Sequence, residues 1–96
     1  MIEKGPHSSI LSKSVLVLET LGNANGAIRY TDLVSQTKLS KSTAHRILSI
    51  LAHEGMVHYD EHTKTYRLGM RIMEWAANIW RELWPVATAL ALQTWR

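Results

Sequence analysis

The stretch that decides the fold runs from Thr37 to Gly55 and reads TKLSKSTAHRILSILAHEG. Within it, apolar residues recur at the three- and four-residue spacing of one helix face, at Ala44, Ile47, Leu48 and Leu51. Ser40 precedes this run and can cap a helix by accepting a hydrogen bond from a free amide of the first turn. Gly55 follows the run, where a left-handed residue commonly ends a helix. The pattern therefore predicts a helix over 41–54 with one buried face.

The opposite face of that predicted helix differs in composition. Its members all form hydrogen bonds, and they are Ser42, His45, Arg46 and Ser49. The free amides at a helix start suit a phosphate, which Lys41 could also hold. An arginine such as Arg46 can pair with guanine through two hydrogen bonds. These features favour a surface that binds nucleic acid.

The segments before this helix predict two further helices and a short strand. The first helix covers 9–21, and its core face is expected to comprise Leu11, Val15, Leu16, Leu18 and Leu21. Residues 27–30 are long enough only for a short strand. Thr31 is placed to cap a second helix over 32–37, which presents Leu33 and Val34 inward.

The segment after Gly55 alternates apolar and polar residues in the manner of a two-stranded hairpin. Val57 and Tyr59 belong to one strand, Tyr66 and Leu68 to the other, and a polar turn over 60–64 joins them. A lone hairpin is marginally stable in water, so this apolar face is expected to pack against the helices. The predicted fold is mainly α with a small β-hairpin wing. It is a winged helix-turn-helix over 10–69, with a three-helix core.

A fourth helix is predicted to follow Gly69 and to act as a linker over 70–84. It carries two apolar stripes, and the first three helices and the wing can cover only one. The second stripe predicts a dimer interface through Met73, Trp80 and Trp84. Pro85 is expected to end this helix, and 85–96 is interpreted as the start of a missing C-terminal domain. Residues 1–9 are expected to form a flexible N-terminal arm.

The positive charge is concentrated in one segment of the chain. The formal net charge is +3, and residues 1–28 and 47–96 are each neutral. The whole excess lies between residues 29 and 46, where Arg29, Lys38, Lys41 and Arg46 face a single acid, Asp32. Such a cluster on an otherwise balanced chain indicates a polyanionic partner, although a solvated face remains the alternative.

Length and composition exclude several other classes of protein. The 96 residues contain no cysteine, which removes disulfide frameworks, thiolate zinc fingers and cysteine nucleophiles, and favours a cytoplasmic location. No apolar run approaches the roughly 20 residues of a membrane helix. His53, His58 and His62 do not have the HExxH spacing of zinc proteases. No catalytic constellation is present, so neither enzymatic activity nor a metal or other cofactor is expected.

The string Thr37–Leu48, followed by Leu51, Glu54-Gly55 and Tyr66-Arg67-Leu68-Gly69, resembles the N-terminal domain of IclR-type bacterial transcription regulators. The resemblance runs from about Ile10 to Leu83. It implies a homodimer or tetramer that binds a palindrome-like operator in double-stranded DNA, as repressor or activator. It also implies a small-molecule effector that binds only a C-terminal domain absent from these 96 residues. Lys38 departs from the family pattern, because glycine is usual in this turn.

The expected roles follow from the position of each side chain. The base-reading residues are predicted to be Ser42, Thr43, His45 and Arg46, and the backbone contacts Arg29, Lys38, Lys41 and Lys64. The alternatives are a structural ion pair between Arg46 and Glu54 or Asp32, and a helix-start role for Ser42 and Thr43. A competing hypothesis for the whole domain is a winged-helix protein-interaction module that does not bind DNA.

Overall fold

The computed structural model describes residues 9–94 and contains four helices and a three-stranded antiparallel sheet within that range. In chain order the elements are α1 (Ile10–Gly22), β1 (Ile28–Arg29), α2 (Tyr30–Thr37), α3 (Lys41–His53), β2 (Val57–Asp60), β3 (Thr65–Leu68) and α4 (Met70–Thr94). The predicted winged helix-turn-helix is confirmed. The predicted N-terminal arm lies, apart from Ser9, outside the described residues. Ser9 caps α1, since its side chain accepts a hydrogen bond from the amide of Ser12.

The core lies between the first three helices and the sheet. Its buried members are Val17, Leu21, Ile28, Leu33, Ile47, Leu48, Leu51 and Val57. The predicted buried stripe of α3 is confirmed, because Ala44 and the three larger residues at its helical spacing are all buried. Among the described residues, the largest fully buried side chains are Leu33, Ile47, Leu48 and Val17, so α3 supplies two of the four.

The predicted core face of α1 is wrong in part. Leu21 is buried and Leu18 packs against the core, but Leu11, Val15 and Leu16 are exposed. Val17, which lies off the predicted stripe, is fully buried instead. The segment 15–18 reads VLVL, so apolar side chains point to several sides of the helix, and tertiary packing selects which of them is buried.

The sheet has the strand order β1-β3-β2, so the hairpin gains a third strand. In the hairpin, Val57 lies opposite Leu68 and Tyr59 opposite Tyr66, which places the predicted apolar residues on one face. Val57 is buried and Tyr66 and Leu68 pack against the core, but Tyr59 is exposed, so the expected packing of this face is wrong at Tyr59. The two tyrosine rings are 4.7 Å apart between centroids. β1 pairs with the other edge of β3, with Ile28 opposite Tyr66 and Arg29 opposite Thr65. This pairing fixes the wing to the segment that enters α2.

Helix α2 begins two residues earlier than predicted. Arg29 occupies the cap position without a side-chain cap bond, so Thr31 lies inside the helix and the expected Thr31 cap is wrong. The helix ends at Thr37, and its C-terminal cap residue Lys38 adopts a left-handed conformation with φ 60° and ψ 23°. Thr37 stabilises this turn, because its buried hydroxyl donates to the Leu33 carbonyl at 2.9 Å and accepts from the Leu39 amide at 3.4 Å.

Helix α4 does not end at Pro85, and that prediction is wrong. The helix continues to Thr94 with Pro85 inside it. A proline removes one amide and crowds the carbonyl four residues before it, which either bends or breaks a helix. Here the next turns include alanine and leucine at positions 89–92, which are strong helix formers. The helix therefore resumes after the proline.

Candidate nucleic-acid interface

The start of α3 is a hydroxyl cluster built around its cap residue. The Ser40 side chain accepts from the Thr43 amide at 3.2 Å, as predicted, and donates to the Thr43 hydroxyl at 2.9 Å. Ser42 lies 3.4 Å from the same Ser40 oxygen. Because Ser40 gives its one proton to Thr43, the Thr43 hydroxyl keeps its own proton for another acceptor. The helix-start role weighed for Thr43 and Ser42 is therefore present, and it leaves the Thr43 proton available.

The exposed face of α3 is free of its own polypeptide over the described residues. Ser42, His45, Arg46 and Ser49 are all exposed, directly opposite the buried stripe. The amides of Lys41 and Ser42 find no acceptor within residues 9–94, as expected for the first turn of a helix. The positive helix end, an imidazole, a guanidinium and two hydroxyls thus share one accessible surface without an acidic residue among them.

Arg46 has no acidic partner within residues 9–94. Of the two acids expected as alternative partners, Glu54 instead pairs with Arg71, at 2.8 Å between Nη1 and Oε1, and Asp32 forms no ion pair within residues 9–94. The Arg46 guanidinium is therefore available to an external acceptor.

Sequence reasoning missed one residue that positions this helix. Tyr30 is the first residue of α2, and its hydroxyl donates to the Lys41 carbonyl at 2.8 Å. The bond joins the N-terminal ends of the two helices of the helix-turn-helix motif. Its partners are eleven positions apart and follow no local pattern, so only the known packing of the motif could have suggested it.

The predicted backbone contacts occupy two places. Lys38 and Lys41 flank the turn into α3, and both are exposed. Arg29 and Lys64 both belong to the wing, because the backbone of Arg29 pairs with Thr65, the neighbour of Lys64, across β1 and β3. The antiparallel sheet thus brings together two cations that are 35 positions apart in the sequence.

The wing turn is held by Asp60. Its Oδ1 accepts from the amides of His62 at 2.8 Å and Thr63 at 3.3 Å, and its carbonyl accepts from the Lys64 amide at 2.7 Å. The backbone hydrogen bonds from His62 and Thr63 lower the pKa of Asp60, because they favour the carboxylate. Lys64 adopts φ 60°, so the turn holds this lysine in a left-handed conformation.

This geometry agrees with comparison to known proteins. The sequence model of the IclR helix-turn-helix domain matches residues 10–61, more than half of the chain. The chain belongs to the IclR family. The IclR helix-turn-helix is the DNA-binding domain of transcription regulators, a class without enzymatic activity. No curated protein sequence matches the chain.

Solved IclR structures share the fold of this IclR domain. An IclR homolog from Microbacterium hydrocarbonoxydans, complexed with 4-hydroxybenzoate, is 33% identical with a TM-score of 0.63, over 70% of this chain and 28% of that chain. An IclR homolog from Microbacterium sp. strain HM58-2 is also 33% identical, with a TM-score of 0.64, over 73% and 29%. The IclR transcriptional regulator from Alicyclobacillus acidocaldarius is 24% identical, with a TM-score of 0.68, over 73% and 28%. The chain therefore spans less than a third of the length of these structures.

Within the described residues of this IclR domain, apolar surfaces on α4 and on α1 are uncovered. Met73, Trp80 and Trp84 of α4 are all exposed, and the rings of Trp80 and Trp84 lie 5.7 Å apart between centroids. Ile79 and Leu83, which belong to the other apolar stripe of α4, are exposed as well, so the expectation that the first three helices and the wing cover one stripe is wrong for these residues. The second surface, on α1, comprises Leu11, Val15 and Leu16, which line a shallow cavity together with Ser12 and Glu19. Sequence reasoning missed this second surface because it placed those α1 residues in the core.

Neither a metal centre nor a membrane helix is found in the described part of this IclR chain. No group of histidine and acidic side chains within residues 9–94 could hold a metal ion. No helix in the same range is long and apolar enough to span a membrane.

Proposed function

We propose that this domain binds a palindrome-like operator by inserting α3 into the major groove of double-stranded DNA. One observation carries the proposal. The face of α3 opposite the core is exposed, free of acidic residues and made of side chains that pair with base edges. A helix fits the major groove of B-DNA, where each base pair presents a distinct pattern of donors and acceptors.

The base-reading roles belong to Ser42, Thr43, His45 and Arg46. Arg46 is the strongest candidate, since its guanidinium has no partner within residues 9–94 and can form two hydrogen bonds to guanine. His45 and Ser42 extend from the same exposed surface. The Thr43 hydroxyl, already accepting from Ser40, donates to a base or a phosphate oxygen.

The backbone contacts are assigned to Lys38, Lys41, Arg29 and Lys64. Lys38 and Lys41 stand at the entrance of α3, beside the first-turn amides that favour an anion. Arg29 and Lys64 reach a phosphate from the wing. These contacts set the register of the protein on the duplex without reading its sequence.

Two copies of the chain are proposed to bind together through Met73, Trp80 and Trp84 of α4. Exposed aromatic side chains of this density are typical of the centre of an interface. A two-fold dimer would place its two α3 helices about 34 Å apart, one turn of the duplex.

In the whole protein, residues 10–69 are assigned to DNA binding and residues 70–84 of α4 to the linker. We place the start of an effector-binding domain at 85–96, of which residues 85–94 belong to the C-terminal part of α4. The solved relatives are about three times as long as this chain, and one of them is complexed with 4-hydroxybenzoate. This supports a small-molecule effector that acts through a C-terminal domain beyond these 96 residues.

Selection of bound duplexes from a random pool tests the proposal. The expected result is an enriched site with two inverted half-sites about 10 base pairs apart, since that spacing matches a two-fold dimer. A gel shift on random duplex at low salt separates the alternative, a protein-interaction module. Retardation at micromolar concentration supports DNA binding. An absence of retardation, with no enriched site, refutes it.

A further inference from the structure

We propose that Arg71 is a positioning residue that fixes the direction of α4 relative to the recognition helix α3. It thereby determines which half-site spacing a dimer accepts. This inference rests on the operator binding and the α4 dimer proposed above. The contacts that carry it lie at the junction between the end of α3 and the first turn of α4.

The junction is made directly between backbones. The Gly69 amide donates to the Met56 carbonyl at 2.8 Å, and the Arg71 amide donates to the Gly55 carbonyl at 3.1 Å. A Cβ at Gly69 would lie 2.9 Å from both the Met56 carbonyl carbon and the Val57 nitrogen, closer than Cβ atoms approach such atoms. The close approach of the two backbones therefore requires glycine at position 69. This contact joins the start of α4 to the segment that follows α3.

The Arg71 side chain adds a second connection at the same place. Its Nη1 donates to the Glu54 carbonyl at 3.0 Å and to Glu54 Oε1 at 2.8 Å. Glu54 is the C-terminal cap residue of α3, where a cation also meets the negative end of the helix. The guanidinium lies 5.6 Å from the ring centroid of Trp75, one turn further along α4. One side chain thus joins the cap of α3 to the first two turns of α4.

Beyond this junction, the side chains of α4 make little contact with the DNA-binding unit, residues 10–69. Every side chain from Met73 to Val86 is exposed. The direction of the helix is therefore determined at its first turn. Trp80 lies ten residues from Met70, about 15 Å along the axis. A rotation of roughly 20° at the junction would move Trp80 by about 5 Å, more than the rise of one base pair.

This role concerns orientation and not stability. The Arg71 and Glu54 side chains are 46% and 51% exposed, and exposed ion pairs add little to the free energy of unfolding. Loss of the guanidinium should therefore leave the folded domain intact and allow α4 to point in a wider range of directions.

The first experiment measures binding to duplexes that carry one half-site, or two half-sites at spacings from 8 to 12 base pairs. For the parent chain we expect affinity to fall about tenfold when the spacing departs from its optimum by one or two base pairs. For Arg71→Ala we expect a fall of less than about threefold, with single half-site affinity unchanged. Arg71→Lys, whose ammonium nitrogen can also donate to both Glu54 oxygens, should keep more of the parent spacing preference than Arg71→Ala.

The matched control is Arg81→Ala, which removes the same charge from the same helix. Arg81 bonds only to Asn78 within α4 in the described part of the chain, so this variant should keep the parent spacing preference. The inference is overturned if Arg71→Ala keeps that preference too, or if Arg81→Ala loses it equally. A parent chain that binds no duplex would instead refute the proposed function.

A second experiment decides the inference without DNA. The chain contains no cysteine, so spin labels can be attached at Gln36→Cys on α2 and Glu82→Cys on α4, both exposed positions. Dilution with unlabelled protein confines the measured distances to one molecule. A narrow distance distribution that broadens in Arg71→Ala, but not in Arg81→Ala, supports the inference. Equal widths in all three proteins overturn it.

Discussion

Lys38 is expected to lower the stability of the domain and to strengthen its binding to DNA. Its left-handed backbone, at φ 60° and ψ 23°, costs a non-glycine residue about 1 to 2 kcal/mol. Glycine adopts this conformation freely but loses about 0.5 to 1 kcal/mol more chain entropy on folding. We therefore expect Lys38→Gly to raise the free energy of unfolding by roughly 0.5 to 1 kcal/mol. For a domain of this size, that raises Tm by about 3 to 6 °C.

The same substitution should weaken DNA binding. If Lys38 neutralises one phosphate, its loss reduces the slope of log K against log salt by about 0.9. The effect should be similar for every duplex sequence, since a phosphate contact carries no base information. Lys38→Gly is thus expected to be the more stable protein and the weaker DNA binder.

Lys38→Ala is the matched control, because it removes the charge and keeps a side chain that is strained at positive φ. We expect it to show the weaker binding without the gain in stability. Urea denaturation measures the free energy of unfolding, and fluorescence anisotropy at several salt concentrations measures the slope. Equal stability of the glycine and alanine variants would refute the strain argument. An unchanged slope in both would refute the phosphate contact.

Four further predictions concern the interface and the turns around it. Arg46→Ala should reduce the difference in affinity among duplex sequences, whereas Lys64→Ala should lower the affinity for all duplexes alike. Competition binding measures both effects, and the same outcome for both variants would contradict their assigned roles. Thr37→Val should lower the free energy of unfolding by about 1 to 2 kcal/mol, because the Leu39 amide loses its acceptor. Tyr30→Phe should cost about 1 kcal/mol through loss of the bond to Lys41, and an unchanged urea midpoint would show that this bond adds nothing. The pKa of Asp60 is lower in the folded state than in the unfolded state. The Asp60 carboxylate therefore stabilises the fold fully above the unfolded-state pKa of about 3.9, and this contribution is lost as the pH falls through the folded-state pKa. The stability difference between the parent chain and Asp60→Asn, followed by urea titration, should therefore shrink below about pH 4, and a difference independent of pH would contradict this sign.

The sequence was sufficient for the parts of the domain that depend on local signals. The cap at Ser40, the buried stripe through Leu48 and the exposed face through Arg46 all follow from residues within two or three turns of one helix. The hairpin was predictable for the same reason, since strand alternation and a polar turn lie close together. These parts also carry the proposed base-reading residues.

Prediction failed where a choice depends on distant residues. In α1, either Leu11 or Val17 could face a core, and only packing against the other helices selects Val17. The pairing of β1 with β3, which brings Arg29 beside the wing, joins segments more than 30 positions apart. At Pro85 the local rule permits either a helix end or a bend, so the sequence alone does not select the continuous helix.

The helix that passes through Pro85 has one weak point in its hydrogen-bond ladder. The Arg81 carbonyl, four residues earlier, loses the amide that would normally bond to it. This position lies about 22 Å from the start of α4. A torque applied beyond residue 85 would therefore be relieved first by bending there, before it reached the glycine contact at the base. The bend at Pro85 would therefore keep forces on the C-terminal end of α4 from changing the orientation of the DNA-binding unit.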